Sequence, residues 1–159
     1  MLKIKIISVG KVKNKDLKAV ISEYEKRLSK YAKIEAVELT DLSLSERPSQ
    51  SEIDACLEKE GIEIEKRISD KAFVFAMCIE GKKLTSEGLA EKISTLSHNY
   101  PEIIFIIGSS HGICDRIKKR AGFLLSMSDM TFPHNLAKLM LTEQIYRAFK
   151  INSNESYHK

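Results

Sequence analysis

Leu2 to Val9 alternates polar and aliphatic residues and stops at Gly10, the period-two signature of a β-strand. Lys11, Lys13 and Lys15 follow as a basic loop, and from Asp16 the apolar residues Leu17, Val20, Ile21, Tyr24 and Leu28 recur at helical spacing. Ile34 to Leu39 predicts a second short strand, and Asp41 to Gln50, rich in serine and containing Pro48, reads as loop. Ser51 is placed to cap a helix carrying Ile53, Leu57, Ile64 and Ile68, with Gly61 weakening its middle. Ala72 to Ile79 is continuously apolar and short, which suits a strand covered on both faces at the centre of a sheet. Glu80-Gly81-Lys82-Lys83 then reads as a turn, and Thr85 or Ser86 as the cap of a helix that buries Leu89, Ile93 and Leu96. Ile103 to Ile107 is a second fully apolar strand, ended by Gly108-Ser109-Ser110-His111-Gly112. Ile113 to Ala121 predicts a short basic helix, Phe123 to Met127 a strand and Ser128 to Pro133 an irregular connection. A long helix from about Asn135 to Phe149 and a polar tail complete the chain. Strands alternating with helices, two of them doubly buried, predict an α/β fold with a largely parallel sheet flanked by helices.

A length of 159 residues fits one domain, expected to span 1–159. With 43% hydrophobic and 30% charged residues the composition excludes a disordered chain. The lysine-aliphatic alternation at the start does not read as a signal peptide, and no run approaches the ~18 apolar residues of a membrane span. A cytoplasmic protein with no membrane association is expected. Cys56, Cys78 and Cys114 are odd in number and widely spaced, so they read as reduced thiols with structural roles. The net charge of +4 permits a polyanionic partner without requiring one.

Parallel α/β sheets bind ligands beyond the carboxyl ends of their strands, where loops and helix amino termini bring free N–H groups together. Three segments occupy such positions: Met77 to Gly81, Gly108 to Gly112 and Met127 to Phe132. The glycine loop is not G-x-G-x-x-G and lacks the Lys-Ser/Thr of a P-loop, which argues against nucleotide triphosphate hydrolysis. It reads either as a tight turn or as a place where backbone approaches a small ligand closely. Ser109, Ser110 and Cys114 lie in no nucleophile elbow, and the four histidines have no metal-site spacing, so no metal is expected. On the long helix Leu136, Met140, Glu143 and Arg147 fall on one line. Leu141, Ile145, Ala148 and Phe149 make a second apolar face, interrupted by Lys138. One face can meet the sheet and the other a second subunit, which predicts a homodimer. Glu143 and Arg147 form either an ordinary surface pair worth ~0.2–0.5 kcal/mol or a semi-buried pair in which Arg147 holds a phosphate or carboxylate.

Phe75-Ala-Met-Cys-Ile-Glu-Gly-Lys82, Ser86-Glu-Gly-Leu-Ala90, Phe105-Ile-Ile-Gly-Ser-Ser-His-Gly112, Met130-Thr-Phe-Pro-His134, Glu143-Gln-Ile-Tyr-Arg-Ala-Phe-Lys150 and Tyr157-His158-Lys159 together resemble the RlmH family, across essentially the whole chain. These are SPOUT-class methyltransferases that act on pseudouridine N3 in bacterial large-subunit (23S) ribosomal RNA. The resemblance implies S-adenosylmethionine as methyl donor, no metal, a homodimer, rRNA or the ribosome as partner, and a carboxy-terminal trefoil knot. It places the donor against Met77, Gly108, Met127, Ser128, Asp129, Met130, Thr131 and Phe132. It also implies that the tail closes over the partner subunit's donor, with Tyr157 or Arg147 positioning the nucleoside, His158 or Glu143 accepting its proton, and Lys159 contacting RNA phosphate. Two positions depart from the family pattern: Ser109 stands where the family usually has the second glycine of Gly-Gly, and Ser156 where it often has proline. A noncatalytic RNA-binding assembly factor and a flavodoxin-like enzyme remain the competing readings, supported by charge and by the α/β pattern respectively.

Overall fold

Runs of branched aliphatic residues form five strands in the computed structural model, which describes residues 1–159: β1 (Lys3–Val9), β2 (Lys33–Leu39), β3 (Ala72–Lys83), β4 (Glu102–Ile107) and β5 (Phe123–Ser126). Every strand pairing is parallel and the order is β2-β1-β4-β3-β5. Five helices connect them: α1 (Lys15–Leu28), α2 (Gln50–Glu65), α3 (Ser86–Ser97), α4 (Asp115–Arg120) and α5 (His134–Asn152).

Alternate residues of each strand point to opposite faces of the sheet. Ile4, Ile6, Phe75, Ile103 and Phe105 meet Leu28 of α1, Leu89 and Ile93 of α3, and Leu141 and Ile145 of α5. On the other face Ile7, Val9, Val74, Ile104 and Ile106 meet Ile64 of α2 and Ile117 of α4. The sheet is therefore buried on both sides, as the two continuous apolar runs require.

Four local expectations are corrected. The central strand is β4, buried at every position, whereas β3 lies one place outward and loses cover after Ala76. Ser49, rather than Ser51, caps α2: its side chain accepts from the Glu52 N–H while the Glu52 carboxylate accepts from the Ser49 N–H. That capping box was spelled by Ser49-Gln-Ser-Glu52 and contributes about 1 kcal/mol. Glu80-Gly81-Lys82-Lys83 is not a turn, because β3 runs on to Lys83. Lys138 does not disturb the packed face of α5, since its ammonium pairs with Glu38 of β2 at 2.8 Å while the side chain is almost wholly buried.

Candidate active site

The carboxyl ends of the strands carry the site. A glycine with φ +102 at position 10 ends β1, and a Cβ there would lie 2.7 Å from Nε2 of His134, so α5 begins beside β1. Since β5 forms the opposite edge of the sheet, the connection from Met127 to Pro133 must cross the ends of β3 and β4. Beneath that crossing lies a cavity of about 700 Å³.

Its walls come from three strand ends. Between Met77 and Lys82 the register of β3 against β5 shifts, so that Met77 and Lys82 both oppose Leu125 and the residues between them bow outward. Met77, Cys78, Ile79 and Glu80 line the cavity as a result. Gly81 makes the excursion possible, because a Cβ there would meet the Leu124 and Leu125 backbone at 2.8 Å. The Gly108–Gly112 loop closes on itself: the Gly112 N–H donates to the Ser109 carbonyl at 2.9 Å and Gly112 takes φ +94. Ser109 is tied from below, its hydroxyl donating to Oε2 of the buried Glu60 at 2.9 Å, while the Cys56 thiol approaches Oε1 at 3.6 Å. Burial and the nearby Glu60 carboxylate push the Cys56 thiol up.

Of the proposed donor-binding residues, Met77, Gly108, Met127, Ser128, Met130, Thr131 and Phe132 line this cavity. The Asp129 side chain does not: it is exposed and pairs with Lys83 at 2.6 Å. Sequence reasoning missed Ile107, Leu125 and His134 as lining residues, and missed Glu60 altogether. Its only signal was a carboxylate on the buried side of α2 next to Gly61, where a side chain would strike Cys114.

The other proposed residues gather outside the cavity. Arg147 donates to Oε1 of Glu143 through Nε at 3.0 Å and through a terminal nitrogen at 2.6 Å, and this carboxylate raises the guanidinium pKa further. The Tyr157 hydroxyl donates to the same oxygen at 3.1 Å, with the Arg147 guanidinium 4.7 Å from the Tyr157 ring centre. Burial, then hydrogen bonding with Tyr24 and Glu143, pushes the Tyr157 phenol well above its ordinary value. His158 lies 3.3 Å from Arg147 through Nδ1 and 2.7 Å from Glu87 through Nε2. Lys159 is exposed. Ala137 is the last α5 residue on the cavity, so at ~1.5 Å rise per residue Glu143 and Arg147 lie ~9 and ~15 Å farther along the helix. Leu136 and Met140, on the same line as Glu143, are 38% and 37% exposed.

No group of His, Cys, Asp and Glu is arranged to hold a metal ion, all three cysteines are free, and no helix is long and apolar enough to cross a membrane.

A parallel five-stranded sheet with a cavity between a strand-end glycine loop and a crossing segment is consistent with a SPOUT methyltransferase, and the chain belongs to that family: the model described as "Predicted SPOUT methyltransferase" matches residues 2–158. Among its relatives, the chain is 52% identical to a Bifidobacterium adolescentis protein, 48% to one from Bacillus cytotoxicus and 46% to one from Streptococcus suis. Each is named ribosomal RNA large subunit methyltransferase H, and each match spans 99% of this chain and all of the relative. The solved structure of a "probable methylase family protein" from Haemophilus influenzae Rd KW20 shares the fold, with a TM-score of 0.56 and 11% identity over 99% of this chain and 70% of its own.

Proposed function

We propose that the protein transfers a methyl group from S-adenosylmethionine to N3 of a pseudouridine in large-subunit ribosomal RNA, acting on the assembled ribosome. The observation that carries this reading is the full-length likeness to proteins of that name. The cavity suits the donor. Its volume of about 700 Å³ falls in the usual small-ligand range of roughly 300–1,000 Å³. Apolar Met77, Ile107, Leu125 and Phe132 alternate there with backbone of Gly108–Gly112 and Met127–Phe132. The first turn of α5 has no side-chain cap, which leaves N–H donors at the cavity's edge. When bound, the donor supplies an electrophilic methyl on a sulfonium.

The remaining work is positioning and the removal of one imide proton. Tyr157 stays protonated because its pKa is raised, so it serves as a hydrogen-bond donor that positions the nucleoside rather than as a base. Arg147, held flat by Glu143 on one side and Tyr157 on the other, offers its remaining N–H groups to the nucleoside or its phosphate. Glu143, which touches both, and His158, 3.3 Å from Arg147, are the alternative proton acceptors, and a positioned base is worth roughly 10²–10⁴-fold. Lys159 contacts RNA phosphate.

Because this cluster and the cavity are separated along α5, the reading includes a homodimer in which one tail closes over the partner's cavity, with the Leu136–Met140 face buried between subunits. It also includes a trefoil knot, for which the crossing of Met127–Pro133 over β3 and β4 is the supporting feature, and a place in the cytoplasm beside ribosomes. Nucleoside mass spectrometry of ribosomal RNA from a deletion strain tests the activity: one N3-methylpseudouridine disappears, and an unchanged nucleoside profile overturns the assignment. Light scattering at micromolar concentration with donor present tests the dimer, which a monomer mass overturns.

A further inference from the structure

Lys3, Lys5, Lys66, Lys83, Lys118, Lys138 and Lys150 each lie against a carboxylate. Lys11, Lys13, Lys15 and Lys18 are different. All four are exposed, none has an ion-pair partner, and they fall within eight consecutive residues whose single acid is Asp16. The loop that carries them is held at both ends. Gly10 donates its N–H to the Leu39 carbonyl at 2.8 Å, Val12 is buried so that its neighbours Lys11 and Lys13 turn outward, and Asn14 caps α1 by accepting from the N–H groups of Asp16 and Leu17. Glu38, the carboxylate that feels the charge of Lys18, is already engaged by Lys138 at 2.8 Å.

The position of this loop gives it a use. Gly10, immediately before Lys11, packs on the ring of His134, and His134 lines the cavity. The lysines therefore start one residue from the cavity's edge, at the carboxyl end of the sheet. We infer that Lys11, Lys13, Lys15 and Lys18 form a docking strip for the RNA sugar-phosphate backbone, holding phosphates that flank the target nucleotide. Among the four there is no exposed aromatic or arginine of the kind that anchors a protein interface, and lysines act as point charges toward phosphate. Such contacts position a nucleic acid without reading its bases. The inference rests on the proposed function for the identity of the RNA, and it names a part of the substrate site that lies outside the cavity and the tail.

The test compares Lys11→Gln/Lys13→Gln/Lys15→Gln with a control, Lys26→Gln/Lys33→Gln/Lys71→Gln, which removes the same charge from exposed, unpaired lysines elsewhere. Counterion release gives a slope of about −0.7 to −0.9 in log affinity against log salt for each phosphate neutralised. Loss of three contacts flattens the slope by about 2–3 and weakens binding at 0.15 M salt by roughly 50–200-fold. The probes are assembled ribosomes from the deletion strain, read by KM for methylation, and protein-free large-subunit rRNA, read by direct binding. The strip variant should lose affinity for both, with a shallower slope and with S-adenosylmethionine binding retained, while the control behaves as wild type. Equal slopes for strip variant and wild type overturn the inference. So does a defect on ribosomes that is missing on protein-free RNA, which would place the strip against a ribosomal protein. If the wild type binds RNA but methylates nothing, the proposed function fails, and the slope comparison still decides the strip.

Discussion

Replacing Gly108 by alanine is the sharpest probe of the cavity, because the obstacle is backbone. A Cβ at this position would lie 2.6 Å from the Gly112 carbonyl carbon and 2.7 Å from Cγ1 of Ile113, with the Gly112 carbonyl oxygen nearer still. Carbon atoms rest at about 3.5–4.0 Å, so the gap must open by close to 1 Å. No flexible side-chain end is available to give way against Gly112, and the loop itself has to spread. Overpacking of this kind costs about 1–3 kcal/mol, and because the loop walls the cavity, strain relieved by spreading it appears as lost affinity for S-adenosylmethionine. At 1.4 kcal/mol per tenfold, Kd should rise roughly 5–150-fold. Gly112→Ala separates sterics from conformation, since nothing lies within 4 Å of its Cβ and the cost there comes only from φ +94. Calorimetric titration with the donor, paired with thermal unfolding of each variant, reads both effects. A Gly108→Ala protein that folds and binds the donor within twofold of wild type would refute the argument that this loop forms the binding wall.

Truncation after Ser156 should leave dimerisation and donor binding intact while abolishing methylation of ribosomes, and methylation at the full-length rate removes Tyr157, His158 and Lys159 from the mechanism. Lys138→Ala strands the three-quarters-buried carboxylate of Glu38 and should cost about 3 kcal/mol in urea unfolding; Lys138→Met with Glu38→Gln should recover much of it, and equal stability of the single variant and wild type contradicts the pairing. At Glu102 burial favours the neutral acid, but hydrogen bonds from Ser69, Lys3 and Lys5 outweigh it and hold the pKa below 4.5. Stability from this carboxylate is therefore complete above the unfolded-state value and is lost as pH falls through the lower folded-state one. Glu102→Gln should flatten the acid limb of a stability-pH curve below about pH 4.5, and an unchanged limb rules the cluster out as its source.

Local pattern determined a good deal of this protein. Strand and helix identities follow from periodicity, because burial on one or both faces leaves its period in the order of residues. That is why Ala72 to Ala76 and Ile103 to Ile107 were recognisable as doubly covered strands, and why residues of all three strand-end segments line the cavity. Leu141, Ile145 and Ala148 were readable as a packed face for the same reason. What the order of residues did not carry was who stands opposite whom. The excursion in β3 exists only as a register shift against β5, so Glu80-Gly81 looked like a turn until its partner strand was in place. Lys138 looked like a flaw in an apolar face because Glu38, one hundred residues away, was not yet beside it. Asp129 sat within a cavity-lining segment yet turned to Lys83, and Glu60 was found only when Ser109 came to rest above it. Periodicity records how much of a residue is covered, through the hydrophobic free energy of that one side chain. Register, ion pairs and the floor of a cavity depend on two distant segments meeting, and that is settled when the sheet and its helices close on each other.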